Sequence, residues 1–139
     1  MPYFDDVNEG QELPVNTKKP PLQQLVWFAA GSGDFNPLHF DFDFAKNMGM
    51  QGPIVHGRFK YATLGQLVWE WVQPDGRVKS FECQYRGMDE PNHEFKVSGV
   101  VKRKWQDNGE NLVELEIWTE NAEGKKTTPG NAVVALPAR

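Results

Sequence analysis

Gly31-Ser32-Gly33-Asp34-Phe35-Asn36-Pro37-Leu38-His39 sets an acid, an amide and an imidazole within six residues, around a proline. Asp34 and His39 are five positions apart. That spacing suits neither one helix face nor one strand face, but it closes easily across a tight loop. Pro37 holds its own φ and drives Asn36 out of the helical region, so the loop has few conformations. A segment stiffened in this way can aim a carboxylate and an imidazole at one small molecule such as water. The same residues are also ordinary turn formers. The chain has three histidines, His39, His56 and His93, and the first two flank one short segment that leads into a long apolar helix. That placement favours chemistry over a simple turn.

The elements that must position these residues can be read from hydrophobic period. Val7 to Val15 reads as an opening strand or loop, and Lys18-Lys19-Pro20-Pro21 is a break. A short helix is expected from Pro21 to about Ala30, ended by Gly31, with Leu25, Phe28 and Ala29 on its apolar face. Phe44 to Gly49 reads as a helical turn. The strongest pattern runs from Val55 to Val72. There Phe59, Leu64, Leu67, Val68, Trp71 and Val72 recur at three- and four-residue steps, and Pro74-Asp75-Gly76 stops the run. This helix is expected to be largely enclosed. The second half changes to period two: Phe81, Cys83 and Tyr85, then Phe95, Val97 and Val101, then Val113, Leu115 and Ile117, with Val133 to Leu136 closing the chain. The pattern is an antiparallel meander of at least four strands, whose apolar face the long helix must cover. The fold class is α+β, one curved antiparallel sheet wrapped on one long central helix.

The totals fit a single globular domain spanning residues 1–139, with 39% apolar and 24% charged residues. A net charge of −4 argues against a nucleic-acid partner. No apolar run approaches the roughly 18 residues needed to span a membrane. Cys83 is the one cysteine, so no internal disulfide can form, and the acidic start Met1 to Asp6 does not resemble an export signal. A cytoplasmic location is expected.

Ser32-Gly33-Asp34-Phe35-Asn36-Pro37-Leu38-His39, followed after sixteen residues by His56-Gly57 within Gly52-Pro53-Ile54-Val55-His56-Gly57, resembles the MaoC-like dehydratases, also called R-specific or type 2 enoyl-CoA hydratases. Leu25 to Ala30 is similar to the family's lead-in helix. The resemblance implies the hotdog fold, a MaoC-like single domain, and a homodimer or a heteromer with a second hotdog subunit. It implies a lyase of fatty acid metabolism that reversibly adds water to trans-2-enoyl-CoA to give (3R)-3-hydroxyacyl-CoA. It carries Asp34 and His39 over as the catalytic pair, the Gly57 backbone N–H as the donor to the thioester oxygen, and Asn36 as loop support. No cofactor is implied, because CoA is part of the acyl-CoA substrate, and no metal-ligand spacing appears.

That chemistry suits these groups. Water needs a base to attack C3, and C2 needs a proton. One water bridging Asp34 and His39 could supply both, and either residue could be the base. Negative charge developing on the thioester oxygen would be met by free N–H groups at a helix start.

His56 could touch substrate or act as a structural hydrogen-bonder. His93 reads as a solvated turn residue, and Lys102-Arg103-Lys104 as a solvated face, although it could meet CoA phosphates. After His-Gly the family usually continues Met-Leu and then a small hydroxyl residue, whereas this chain has Arg58-Phe59-Lys60-Tyr61-Ala62, with Thr63 next. Arg58 and Lys60 place positive charge where the helix dipole disfavours it. A buried Arg58 could pair with Asp41 or Asp43, face a partner subunit, or bind a substrate carboxylate. Arg58, Thr63 and His56 are therefore candidate substrate-binding residues. Two rivals remain: a hotdog thioesterase, for which Glu70 is the only acid on the long helix, and one subunit of a heteromeric 3-hydroxyacyl-thioester dehydratase.

Overall fold

The computed structural model describes residues 2–139. A 3-10 turn at Phe4–Asp6 precedes β1 (Asn16–Lys18) and α1 (Leu22–Ser32). A second 3-10 turn spans Pro37–His39, followed by α2 (Phe42–Asn47) and α3 (Gly57–Val72). The rest is strand: β2 (Arg77–Cys83), β3 (Phe95–Asp107), β4 (Glu110–Asn121) and β5 (Lys126–Ala135). The five strands form one antiparallel sheet in the order β1-β3-β4-β5-β2. The chain has the expected hotdog architecture, with four strands of the sheet contacting α3.

β3, β4 and β5 form the expected meander. Asn108 and Gly109 both take positive φ, 48° and 76°, which lets a two-residue hairpin follow the twist of its strands. β2 departs from the expectation. It pairs with β5, from Arg77↔Ala135 to Cys83↔Gly130, and so forms an edge far from β3. It ends at Cys83, so Tyr85 lies outside it. β5 begins at Lys126, well before the apolar Val133 to Leu136 run, because Thr127, Thr128, Pro129 and Gly130 join the ladder without apolar alternation. Residues 7–15, which read as a strand or loop, are loop. β1 lies at Asn16–Lys18, while Glu12 makes only an isolated bridge to Val100.

α1 runs one residue beyond Gly31. Gly33 rather than Gly31 takes the left-handed conformation, φ 75°, and its N–H donates to the Ala29 carbonyl at 2.9 Å. α3 buries Phe59, Leu64, Leu67, Val68 and Val72 against Val97, Val101, Leu115, Ile117 and Val134 of the sheet. At about 25 cal/mol per Å², this shared apolar face is the main source of stability. Against the expectation of a largely enclosed helix, Tyr61 and Trp69 stand exposed on its other side. No helix of the described residues is long and apolar enough to cross a membrane.

Candidate active site

The loop after α1 is held by its own short polar side chains. The Asp34 N–H donates to Ser32 Oγ at 3.2 Å, and the Asn36 N–H to Asp34 Oδ1 at 3.4 Å. Asn36 Oδ1 accepts from the Leu38 N–H at 3.1 Å and caps the turn that Pro37 opens. The His39 N–H closes that turn on the Asn36 carbonyl at 3.1 Å. Asn36 therefore sets the backbone between Asp34 and His39.

The two candidate reacting side chains face each other. His39 Nε2 lies 3.8 Å from Asp34 Oδ2. That is too long for a direct hydrogen bond, yet one water oxygen about 2.8 Å from each atom could bridge them. His39 Nδ1 lies 2.8 Å from the Ile54 carbonyl. A carbonyl can only accept, so Nδ1 carries the hydrogen, and in the neutral form of the ring Nε2 would turn its lone pair toward Asp34. His39 is buried, while the Asp34 side chain keeps 31% of its surface, so solvent can reach the carboxylate.

His56 stands behind this pair. It is wholly buried, stacked on His39 with ring centroids 3.8 Å apart, and edge-on to Phe28 at 4.9 Å. Its Nε2 donates to the Asp34 main-chain carbonyl at 3.3 Å, and its Nδ1 has no partner. Burial first, and the neighbouring His39 second, push its pKa below the usual 6.5. The ring sits as a neutral hydrogen-bonder beneath the reacting groups. Asp34, His39 and His56 each offer one ligand atom within 4.8 Å of the others, a grouping that linear spacing hides. His39 Nδ1 and His56 Nε2 are already committed to carbonyls.

Gly57 is the first residue of α3, so no earlier turn of the helix can accept its N–H, and it lies at the positive end of the dipole. A Cβ here would come within 2.9 Å of the Tyr85 ring. A side chain at this position would therefore displace Tyr85, which sequence reading placed in a strand. Gly57 and Tyr85 share a cleft of about 440 Å³ with Ile54, Lys60 and Lys125.

The charged residues after Gly57 behave differently from expectation. Arg58 is exposed and forms no ion pair among the described residues, with neither Asp41 nor Asp43; its charge lies near Tyr85. Lys60 is the buried cation instead, 2% exposed and 3.0 Å from Asp89 Oδ2. In the sequence Asp89 opens the run Asp89-Glu90-Pro91-Asn92, whose residue types mark only a turn. Thr63 gives its hydroxyl to the Lys60 carbonyl at 2.7 Å. It lines a second cleft of about 360 Å³ with Phe28, Phe59, Ala62 and Gln66. His93 is exposed and lies 3.1 Å from the Pro91 carbonyl, while Lys102 and Arg103 pair with Glu116 and Glu114 across the β3–β4 surface.

The hotdog sheet and the facing Asp34 and His39 side chains are in line with the motif resemblance. The chain belongs to the MaoC-like domain family, whose model matches residues 5–123. It is 31% identical over 119 residues to the (R)-specific enoyl-CoA hydratase of Aeromonas caviae, covering 82% of this chain and 84% of that protein. It is likewise 31% identical over 112 residues to fatty acid synthase subunit beta of Saccharomyces cerevisiae, covering 79% of this chain but spanning only 5% of that subunit. Among solved structures, the A. caviae (R)-hydratase involved in PHA biosynthesis superposes with a TM-score of 0.85 at 25% identity. That match covers 94% of this chain and 98% of the hydratase.

Proposed function

We propose that this chain is a hydro-lyase that adds water to trans-2-enoyl-CoA to give (3R)-3-hydroxyacyl-CoA, and runs the reverse dehydration. The observation that carries this reading is the 3.8 Å separation of His39 Nε2 and Asp34 Oδ2, with His39 Nδ1 committed to the Ile54 carbonyl. Two acceptors at this distance can hold one water by both its hydrogens. As the water oxygen attacks C3, one of the two takes its proton, and the pair returns a proton to C2. The Gly57 N–H receives the charge that grows on the thioester oxygen. Asn36 keeps the loop in register, and His56 supports Asp34 and His39 from behind.

The reaction needs no metal or redox cofactor, and CoA enters as part of the substrate. Arg58, exposed with its charge near Tyr85, meets a charged part of that substrate. Thr63 contributes to substrate binding as part of the wall of the Phe28–Phe59 cleft. A second hotdog subunit, identical or different, is the expected partner, because the edge strand β2 is unpaired on one side and Trp69 of α3 is exposed. The lone thiol of Cys83 suits a reducing cytoplasm. The thioesterase alternative wants a carboxylate at the thioester. Glu70 lies thirteen residues along α3 from Gly57, about 20 Å away at 1.5 Å per residue.

The test is to mix the purified chain with crotonyl-CoA and with longer enoyl-CoAs and to follow the enoyl absorbance. Loss of absorbance with formation of the 3R product supports hydration. Release of free CoA thiol without loss of the double bond would replace it with thioesterase activity.

A further inference from the structure

We propose that Lys60 and Asp89, a buried ion pair distinct from Asp34 and His39, are positioning residues that fix the segment Ile54–Gly57 for catalysis; this rests on the hydratase reading above. Lys60 is an unexpected residue to bury. It sits in the first turn of α3, where the dipole disfavours a cation, and its charge has been taken out of water. Its Nζ donates to Asp89 Oδ2 at 3.0 Å and to the Gly87 carbonyl at 2.8 Å. Asp89 Oδ2 also accepts from Thr127 Oγ1 at 2.6 Å, which ties the pair to β5. A pair bound in this way has direction that an apolar replacement would lack.

The link to the site runs through the main chain of Asp89. Its carbonyl accepts from the Val55 N–H at 2.7 Å. One residue therefore grips α3 with its side chain and the approach to α3 with its backbone. Ile54, the next residue back, faces the catalytic loop: its N–H donates to the Leu38 carbonyl at 3.2 Å, and its own carbonyl accepts from His39 Nδ1–H. The segment is clamped between the Asp34–His39 loop and the Gly87–Asp89 stretch. Loosening the second grip would shift both the carbonyl that sets the His39 tautomer and the Gly57 N–H. A misplacement of about 1 Å can cost roughly a hundredfold in rate.

The experiment uses the full chain with Lys60→Met, Lys60→Met/Asp89→Asn and Thr127→Val. Three quantities are read for each: Tm, kcat and KM on crotonyl-CoA below Tm, and the 15N resonances that report the His39 tautomer. The double variant leaves no lone buried charge, so it is expected to recover most of the Tm that Lys60→Met loses. Its kcat should nevertheless stay about tenfold or more below that of the parent, with KM changed by less than about threefold, and the His39 signals should leave the pure Nδ1–H form. A double variant with recovered Tm, parental kcat and an unchanged His39 tautomer overturns the proposal. If Lys60→Met fails to fold, Thr127→Val decides: a fall in kcat with a moved His39 signal supports the clamp, and no change in either overturns it. If the parent chain hydrates no enoyl-CoA, the hydratase reading fails, while the tautomer measurement still decides the clamp.

Discussion

The His56 ring lies nearly flat on the His39 ring, with 3.8 Å between centroids and 22° between planes. Two imidazoles this close cannot both carry charge cheaply, and His56 has no surface through which water could offset a charge. The arrangement keeps His56 neutral beside His39.

This relationship predicts an acid-sensitive fold. The His56 pKa is lowered from 6.5, so as pH falls the unfolded chain takes up that proton before the folded one does. The His56 contribution is complete above pH 6.5 and declines below it, toward the lowered folded value. Thermal melts should show a lower Tm at pH 5 than at pH 8. His56→Asn, which keeps a donor for the Asp34 carbonyl, should flatten that slope relative to the parent.

Removing either member of the facing pair should remove the reaction and spare the fold. Asp34→Asn and His39→Gln are each expected to lower kcat by about a hundred- to ten-thousandfold, the usual range for a positioned acid or base. Circular dichroism and Tm should stay near the parent values, because neither side chain belongs to the main apolar cluster. Near-normal rates in both variants would remove them from the mechanism.

Gly57→Ala tests the helix start in a different way. The added methyl would press on the Tyr85 ring at 2.9 Å, and that ring must move. Tyr85 is exposed and can swing outward, so the stability loss should sit near the low end of the roughly 1–3 kcal/mol that overpacking costs. In a Tyr85→Ala background the same substitution should cost much less stability, a coupling that a double-mutant cycle measures directly.

Exhaustive dialysis against EDTA should leave the hydration rate unchanged. Asp34, His39 and His56 are close enough to trap a stray cation, but two of their nitrogens are spent on carbonyls. Added Zn²⁺ should therefore inhibit, if it acts at all, by occupying the gap between His39 Nε2 and the Asp34 carboxylate.

Local signals in the chain carried much of this structure. The three-to-four-residue recurrence from Phe59 to Val72 marks α3, and the turn chemistry of Asp34 to His39 marks the loop, because both depend on neighbours in sequence. What stayed hidden depends on residues far apart. Lys60 and Asp89 are separated by 29 positions and leave no periodic trace, so the sequence shows a cation at a helix start and an acid in a turn. The Ile54 carbonyl that orients His39 is a backbone atom, invisible to any reading of side-chain types. The end of α1 was misplaced for a narrower reason: Gly31 and Gly33 are both able to end a helix, and only the backbone reveals which one turns left-handed. β2 reads as the next strand of the meander, but pairing order is decided by how the sheet closes around α3 and not by the strand's own pattern.

Asp34 is anchored at one end and faces His39 with the other. His56 secures its main-chain oxygen, Oδ1 accepts the Asn36 N–H, and Oδ2 is turned toward His39. The residue's address and its reach are therefore set independently. A glutamate at this position would keep the same anchorage and the same charge, yet its extra methylene would carry the oxygens past the spot where His39 waits. Acidity alone cannot stand in for Asp34, because the length of the arm is part of the specification.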